Sequence, residues 1–364
     1  MGGLPIKLAF LRSLLADIRG FDSDCPYCIA NAILKKNIMQ KSIQIKQDLS
    51  GKIRNLKLSA VDYLLPLYEI VINSIQSIHE SKEIDGEIAI VIERDSNGLD
   101  FKSSDFSGLL KSFTISDNGE GFNNTNFDSF CTADTPYKLA LGCKGVGRFV
   151  ALKAFEKLII TSTYFDKQSN AYMTRELGMS REQGLFSNEP TASESKKRLT
   201  ITKLENYLPD FRKPSNLPTV AKRLLDHCLI YFINGNAPKI LIHDVDSGKV
   251  ADLNKLYAKF IQQDEVIDSF KILSQDFEIF YIKKYTEKGK HQLHYCANER
   301  EVLRKPLSKI IPNLKDQISD SRGKYFLSIY VKSSFLDDKV YAERNLFNIP
   351  ETKAKKKLFD SISF

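Results

Sequence analysis

Apolar and polar positions alternate along this chain in two periods, and the switches between them outline its elements. The apolar-rich run from Ala60 to Ile78 predicts one long helix reaching Ser81, and a second helical run extends from Arg148 to Phe155. Two-residue alternation predicts an edge strand over Ser42 to Gln47, then strands over Glu87 to Glu93, Lys111 to Ser116, Lys157 to Tyr164, Ala171 to Leu177 and Arg198 to Leu204. Residues 1–40 read as one or two short helices broken at Gly20 to Pro26, with Ser23 and Asp24 as cap candidates. Phe122 to Leu141 is polar and rich in Asn, Asp and Thr, which suits a mobile lid, and Gly178 to Lys197 reads as a long hydrophilic connection. Prolines at positions 209, 214 and 218 mark a joint. Beyond it the pattern predicts a helix at Val220 to Ile233, strands at Lys239 to Asp244, Phe277 to Tyr285, Gln292 to Cys296 and Tyr325 to Val331, and a basic helical tail. There is no internal repeat.

Three short signatures lie on these elements in order: Glu69-Ile-Val-Ile-Asn73, Asp117-Asn-Gly119-Glu-Gly121-Phe122 and Gly142-Cys-Lys144-Gly145-Val146-Gly147-Arg148-Phe. Four residues apart on a helix, Glu69 and Asn73 share a face, which suits a general base beside a metal ligand. Asp117 ends a strand where two glycines let the backbone approach a flat ligand, and an adenine base fits there. Gly142, Gly145 and Gly147 precede a helix, so their backbone N–H groups and the helix N-terminus face an anion, with phosphate the natural guest. Lys144 and Arg148 either add charge to that anion or lie on the surface. Together the signatures describe an ATP site. Other nucleotide folds fail on the same residues. A P-loop needs Lys and then Ser or Thr after its last glycine, where this chain has Arg148-Phe149, and the dinucleotide fingerprint lacks its third glycine and its preceding strand.

At these residues the chain resembles the GHKL superfamily: gyrase, the ninety-kilodalton heat-shock chaperone, histidine kinases and MutL. His291 to Arg300 and Leu336 to Phe347 resemble segments in stand-alone bacterial chaperone-like ATPases of that group, so the likeness spans roughly residues 42 to 350. The resemblance implies an α/β sandwich ATPase domain of the Bergerat type followed by an α+β transducer-like domain. The expected divisions are a helical extension over 1–41, the ATP-binding domain over 42–206, the transducer-like domain over 207–350 and a basic tail over 351–364. It implies Glu69 as the base that activates water, Asn73 as the Mg2+ ligand, and Asp117 as acceptor of the adenine amino group. Gly119, Gly121, Gly142, Lys144, Gly145, Val146, Gly147 and Arg148 surround the nucleotide, and Thr200 matches a late threonine beside the adenine. Where chaperone-like members continue the first motif with Asp-Ala, this chain has Gln76-Ser77. In such proteins ATP closes the lid and joins two nucleotide domains, and a transducer Lys or Arg reaches the γ-phosphate; Arg300 and Arg344 are the candidates here. Histidine-kinase chemistry is not expected, because the first histidine, His79, lies after Glu69 rather than on an upstream dimerising helix.

Composition narrows the setting. With 364 residues, 42% apolar, the chain is long enough for two cores, and it has no run of eighteen apolar residues or signal-peptide opening, so a cytoplasmic, non-membrane location is expected. Its +8 net charge is spread in short clusters at Lys196 to Arg198, Lys283-Lys284 and Lys353 to Lys357, read as solvated faces with a nucleic-acid footprint as the alternative. Cys25-Pro-Tyr-Cys28 reads as ordinary thiols, half of a shared metal site or a redox dithiol, while His291, His294 and Cys296 alternate along a strand and belong to packing. The expected function is Mg2+-dependent ATP binding and hydrolysis driving lid closure and dimerisation, in an anti-phage defence or DNA-directed system by association with the family. The alternatives are an ATP sensor that recruits a protein effector with little hydrolysis, and a MutL-like DNA clamp.

Overall fold

A proline sets where the first long helix begins. The computed structural model describes residues 49–82, 85–95, 108–132, 147–260, 266–272, 274–285, 289–341 and 347–349. Helix α1 (Leu49–Asn55) is followed by a 3-10 turn at Ala60–Asp62 and by α2 (Leu65–Ser81). The continuous helix expected from Ala60 is therefore two pieces: Pro66 has no N–H to offer an earlier turn, so regular α-helix starts at its position. At the far end Lys82 takes a left-handed φ of 55° and its N–H caps the carbonyl of His79. Eleven of the seventeen residues of α2 are buried, among them Glu69, Ser74 and Gln76, so this helix is covered on most sides.

What covers it is a mixed sheet and two further helices. The strands are β1 (Glu87–Arg94), β2 (Leu110–Asp117), β3 (Phe155–Asp166), β4 (Ala171–Ser180), β5 (Gly184–Ser187), β6 (Thr191–Ala192), β7 (Leu199–Tyr207), β8 (Lys239–Asp244) and β9 (Lys249–Asp252). They run in the order β5-β4-β3-β7-β2-β1-β8-β9, with β6 also on β4. All neighbours are antiparallel except the parallel pair β1 and β8. Ile88, Ile90 and Ile92 of β1 and Phe113 and Ile115 of β2 point inward, and Tyr207 stacks on Phe155 at 3.9 Å with Phe113 edge-on to both. Helix α3 (Asn124–Cys131) follows β2, and α4 (Gly147–Ala154) leads into β3. The connection expected over Gly178 to Lys197 instead folds back on β4 as β5 and β6.

The proline-rich joint at 207–218 does not separate the sheets, because β8 and β9 from beyond it complete the first one. A buried ion pair explains their place. Arg94 at the end of β1 meets both carboxylate oxygens of Asp244 at the end of β8 and also donates to the carbonyls of Gly108 and Ser215. Helix α5 (Leu217–Ile233) then packs against α2, and α6 (Leu253–Phe260) lies against β8.

A second sheet follows from β10 (Val266–Ile272), β11 (Gln275–Lys284), β12 (Gln292–Ala297), β13 (Arg300–Pro306), β14 (Ile318–Asp320) and β15 (Gly323–Lys332), in the order β10-β11-β15-β12-β13 with β14 on β15. Helix α7 (Ser334–Lys339) packs on β11 and β12. Residues 48–364 form one compact unit, and α5 is the element against which β13 packs. The helices expected within 1–40, the strand at Ser42 to Gln47, Cys25, Cys28 and the tail over 351–364 lie outside the described residues. No helix among the described residues is long and apolar enough to cross a membrane.

Replacing Arg94 with Met leaves Asp244 buried and uncompensated, so denaturant unfolding should show a loss of about 3–5 kcal/mol. Lys203→Ala, which removes a half-exposed partner of Glu93 and Glu205, should cost less than about 1 kcal/mol. Equal losses in the two variants would remove the Arg94 pair as the anchor of β8.

Candidate nucleotide site

Asp117 closes β2 with its carboxylate buried at 5% exposure. Ser74 of α2 donates its hydroxyl to Oδ2 at 2.7 Å, and the Gly119 N–H donates to Oδ1 at 3.0 Å. Burial raises the Asp117 carboxyl to about 6 in spite of these two hydrogen bonds. The turn after it is held tightly. Asn118 accepts from the Glu87 N–H and donates to the Asp85 carbonyl. A Cβ on Gly119 would lie 2.4 Å from Ser77 Oγ and 2.7 Å from its carbonyl carbon, so only glycine lets this turn close on α2. Gly121 adopts a left-handed φ of 75°, and its N–H donates to Ser77 Oγ at 3.3 Å. Ser77, where chaperone-like members carry Ala, thus supplies an acceptor for the glycine turn.

Strand register carries the same row of side chains across the sheet. Asp117 pairs with Thr200, Thr200 with Ser162, and Ser162 with Arg175, so all four project from one face. The hydroxyls of Thr200 and Ser162 lie 2.8 Å apart, and Ser162 Oγ also accepts the Phe122 N–H at 3.0 Å. A hydroxyl and a carboxylate side by side, next to a glycine turn, can read the edge of a base bearing both donors and acceptors. Arg175 ends the row beneath α3, its Nη2 donating to Asn124 Oδ1 at 2.6 Å and its guanidinium 4.0 Å from the Phe127 ring centre.

One helical turn before Ser74, Glu69 is 5% exposed while Asn73 is exposed. Gly147, first residue of α4, comes so close that a Cβ there would lie 3.4 Å from Glu69 Oε2 and 3.9 Å from Asn73 Nδ2. Two of the three signatures therefore meet: the helix carboxylate and amide face the start of the helix expected to hold phosphate. Arg148 is largely buried, stacked near Phe149 and Phe130, and donates from Nη2 to the Thr132 carbonyl at 2.8 Å, so it reaches the C-terminal end of α3. Gly142, Lys144, Gly145 and Val146 lie outside the described residues, as does Arg344.

The carboxylate of Glu69 also meets the second sheet. Arg300, first residue of β13, is 1% exposed and places Nη1 3.3 Å and 3.2 Å from the two Glu69 oxygens. Around it the joint is polar and buried. Tyr68 stacks on His227 at 4.5 Å, and burial depresses His227 to about 4, so this ring is neutral. Lys284 of β11 bonds Asp226 of α5, which makes it an interior cation and not part of a solvated basic face. Burial alone would raise Glu301, but the hydrogen bond with His294 and the Arg304 guanidinium hold it down to about 2. His291, His294 and Cys296 are all buried, and His294 stacks on Tyr330 at 4.1 Å.

Ser74, Ser77, Ser162 and Arg175 were not read as site residues from the sequence. Ser74 and Ser77 carried a signal, lying one and four positions after Asn73 on the helix face turned to the glycine turn. Ser162 and Arg175 carried none, because only the sheet register brings them to Thr200.

The raised Asp117 carboxyl has a consequence for stability. An acid whose folded value lies above its unfolded one stabilises the fold while protonated, and that contribution disappears as pH rises from about 4 through about 6. At pH 7.5 its ionised form therefore costs on the order of 3 kcal/mol. Asp117→Asn should melt no lower than the parent at pH 7.5, and the advantage should vanish near pH 4. A variant less stable at both pH values would contradict the assignment.

A family model described as "Histidine kinase-, DNA gyrase B-, and HSP90-like ATPase" matches residues 66–206, the span from α2 through β7. Among solved structures, the ATPase region of Saccharomyces cerevisiae topoisomerase II is similar at 11% sequence identity and a TM-score of 0.48, covering 89% of this chain and 99% of that one. A search of curated protein sequences finds no match. The mixed sheet carries the GHKL ATPase fold, and a further β-rich domain follows it. Residues 66–206, which include Glu69, Asn73, Asp117 and Thr200, are thus similar to the ATPase domains of that family.

Proposed function

We propose that the protein binds ATP with its adenine against Asp117 and Thr200 and hydrolyses it with Glu69 as general base. The observation that carries this reading is the approach of Gly147 to Glu69 and Asn73, which brings a carboxylate, an amide and a helix N-terminus around one point. Asp117 accepts from the adenine amino group, with Ser74 and the Gly119 N–H fixing the carboxylate in place. Backbone N–H groups of the glycine loop hold the phosphates.

In the chemical step Glu69 takes a proton from water as the water oxygen bonds to the γ-phosphorus. The bond from that phosphorus to the bridging oxygen breaks, its electron pair stays with ADP, and phosphate leaves. Asn73 suits Mg2+ of the kind shared with a nucleotide: it is an exposed amide, and no group of three or more His, Cys, Asp or Glu side chains among the described residues could hold a metal without the phosphates. When bound, the ion neutralises charge developing on the phosphates. Lid closure and pairing of two nucleotide domains would make hydrolysis a timer for an assembled state, read by a protein effector.

Glu69→Ala separates binding from chemistry. ATP affinity by calorimetry should persist, turnover should fall about 10²-fold or more, and sizing in ATP should show a heavier species than in ADP. Near-normal turnover would defeat Glu69 as base. Asp117→Asn should abolish ATP binding in a folded chain, and unchanged affinity would take Asp117 out of the site.

A further inference from the structure

The hairpin that delivers Arg300 is over-determined. Arg300 pairs with Ala297 across a two-residue turn whose residues, Asn298 and Glu299, both lie in the left-handed region at φ 50° and 60°. Glycine would suit the second position, and glutamate there costs on the order of 1 kcal/mol. Two contacts from outside hold the turn. The Asn298 N–H donates to Asp337 Oδ1 of α7 at 2.6 Å, and Asn234, capping α5, donates to Glu299 Oε1 at 3.2 Å. The direction in which β13 starts, and hence the guanidinium, is fixed by two helices and a strained turn.

Among the described residues the guanidinium has one partner. Nη1 spans both oxygens of Glu69, 231 positions away, while Nε and Nη2 are buried with no hydrogen-bond partner among the described residues. As a stabilising device this is poor, since each buried donor without an acceptor costs about 1–3 kcal/mol. It does limit where the Glu69 carboxylate can point, between the cation on one side and the Gly147 backbone on the other. A general base needs that restriction, because its geometry must hold to within about 0.5 Å.

Resting on Glu69 as the base, we propose that Arg300 is a positioning residue for hydrolysis, acting through the Glu69 carboxylate and not on the nucleotide phosphates. Adenine recognition then belongs to the first sheet alone, while the chemical step depends on the β12–β13 hairpin. ATP can bind whatever the state of the hairpin, and its hydrolysis waits on the hairpin being docked.

The test uses the full chain with Arg300→Met and Arg300→Lys, measuring Kd for ATP and for ADP by calorimetry and kcat at saturating ATP. Both variants should bind both nucleotides within about threefold of the parent, and kcat should fall at least about tenfold in Arg300→Met with partial recovery in Arg300→Lys. In a Glu69→Gln background, adding Arg300→Met should cause no further loss, because the group it acts through is already gone. A selective loss of ATP over ADP affinity with kcat retained would overturn the proposal in favour of direct phosphate contact. Unchanged kcat in Arg300→Met, or losses that simply multiply in the double variant, would also overturn it. Should Arg300→Met bind no ADP for want of a fold, Arg300→Lys decides alone: a lowered kcat with parental Kd supports the proposal, a parental kcat sinks it. Normal turnover by Glu69→Gln would instead remove the base itself, an outcome distinct from a dead Glu69→Gln beside a fully active Arg300→Met.

Discussion

A carboxylate inside a protein needs a partner brought to it, and the requirement recurs in this chain at several points where elements distant in sequence meet. Asp244 is buried because Arg94 comes with it, and that pair draws β8 into the first sheet from beyond a proline-rich joint. Asp226 on α5 is matched by Lys284, and Glu69 on α2 by Arg300, so two of the ties between the helical layer and the second sheet are ionic. Asp117 is met by the hydrogen-bond donors of Ser74 and Gly119, and burial pushes its carboxyl up to about 6. It is also the carboxylate for which an incoming base would be an added donor.

The site divides along the same lines. The proposed adenine side is a property of one sheet and one helix: Asp117, Thr200 and Ser162 are register neighbours, and Ser74 and Ser77 reach them from α2. The proposed hydrolytic side is composite, with Glu69 on α2, the helix start at Gly147, and a guanidinium from a different sheet.

What the sequence made legible was local. Glu69 and Asn73 lie one helical turn apart, the two glycines follow Asp117 within four residues, and the helix after Gly147 is continuous in pattern, so each could be read without knowing what packs where. Long-range register was not legible. That Ser162 and Arg175 extend the Asp117 row follows from β3 and β4 lying beside β7, and nothing in their own segments encodes it. The place of β8 was missed because prolines signal a break in the chain path, not a change of sheet. In the sequence Lys284 reads as a surface charge because Asp226 stands 58 positions away, and β13 has no strand signature because Arg300, Glu301, Arg304 and Lys305 interrupt any apolar alternation. Arg300 was named on resemblance as a group for the phosphate, whereas in the fold its Nη1 rests on Glu69.

The most direct measurement is phosphate release by the full, unaltered chain with ATP and Mg2+, followed alongside calorimetric ATP binding. The account requires saturable binding together with steady release of ADP and phosphate in equal amounts. Tight binding with no turnover would leave an ATP sensor and contradict the assignment of Glu69 as base, and absence of any ATP binding would contradict the site itself.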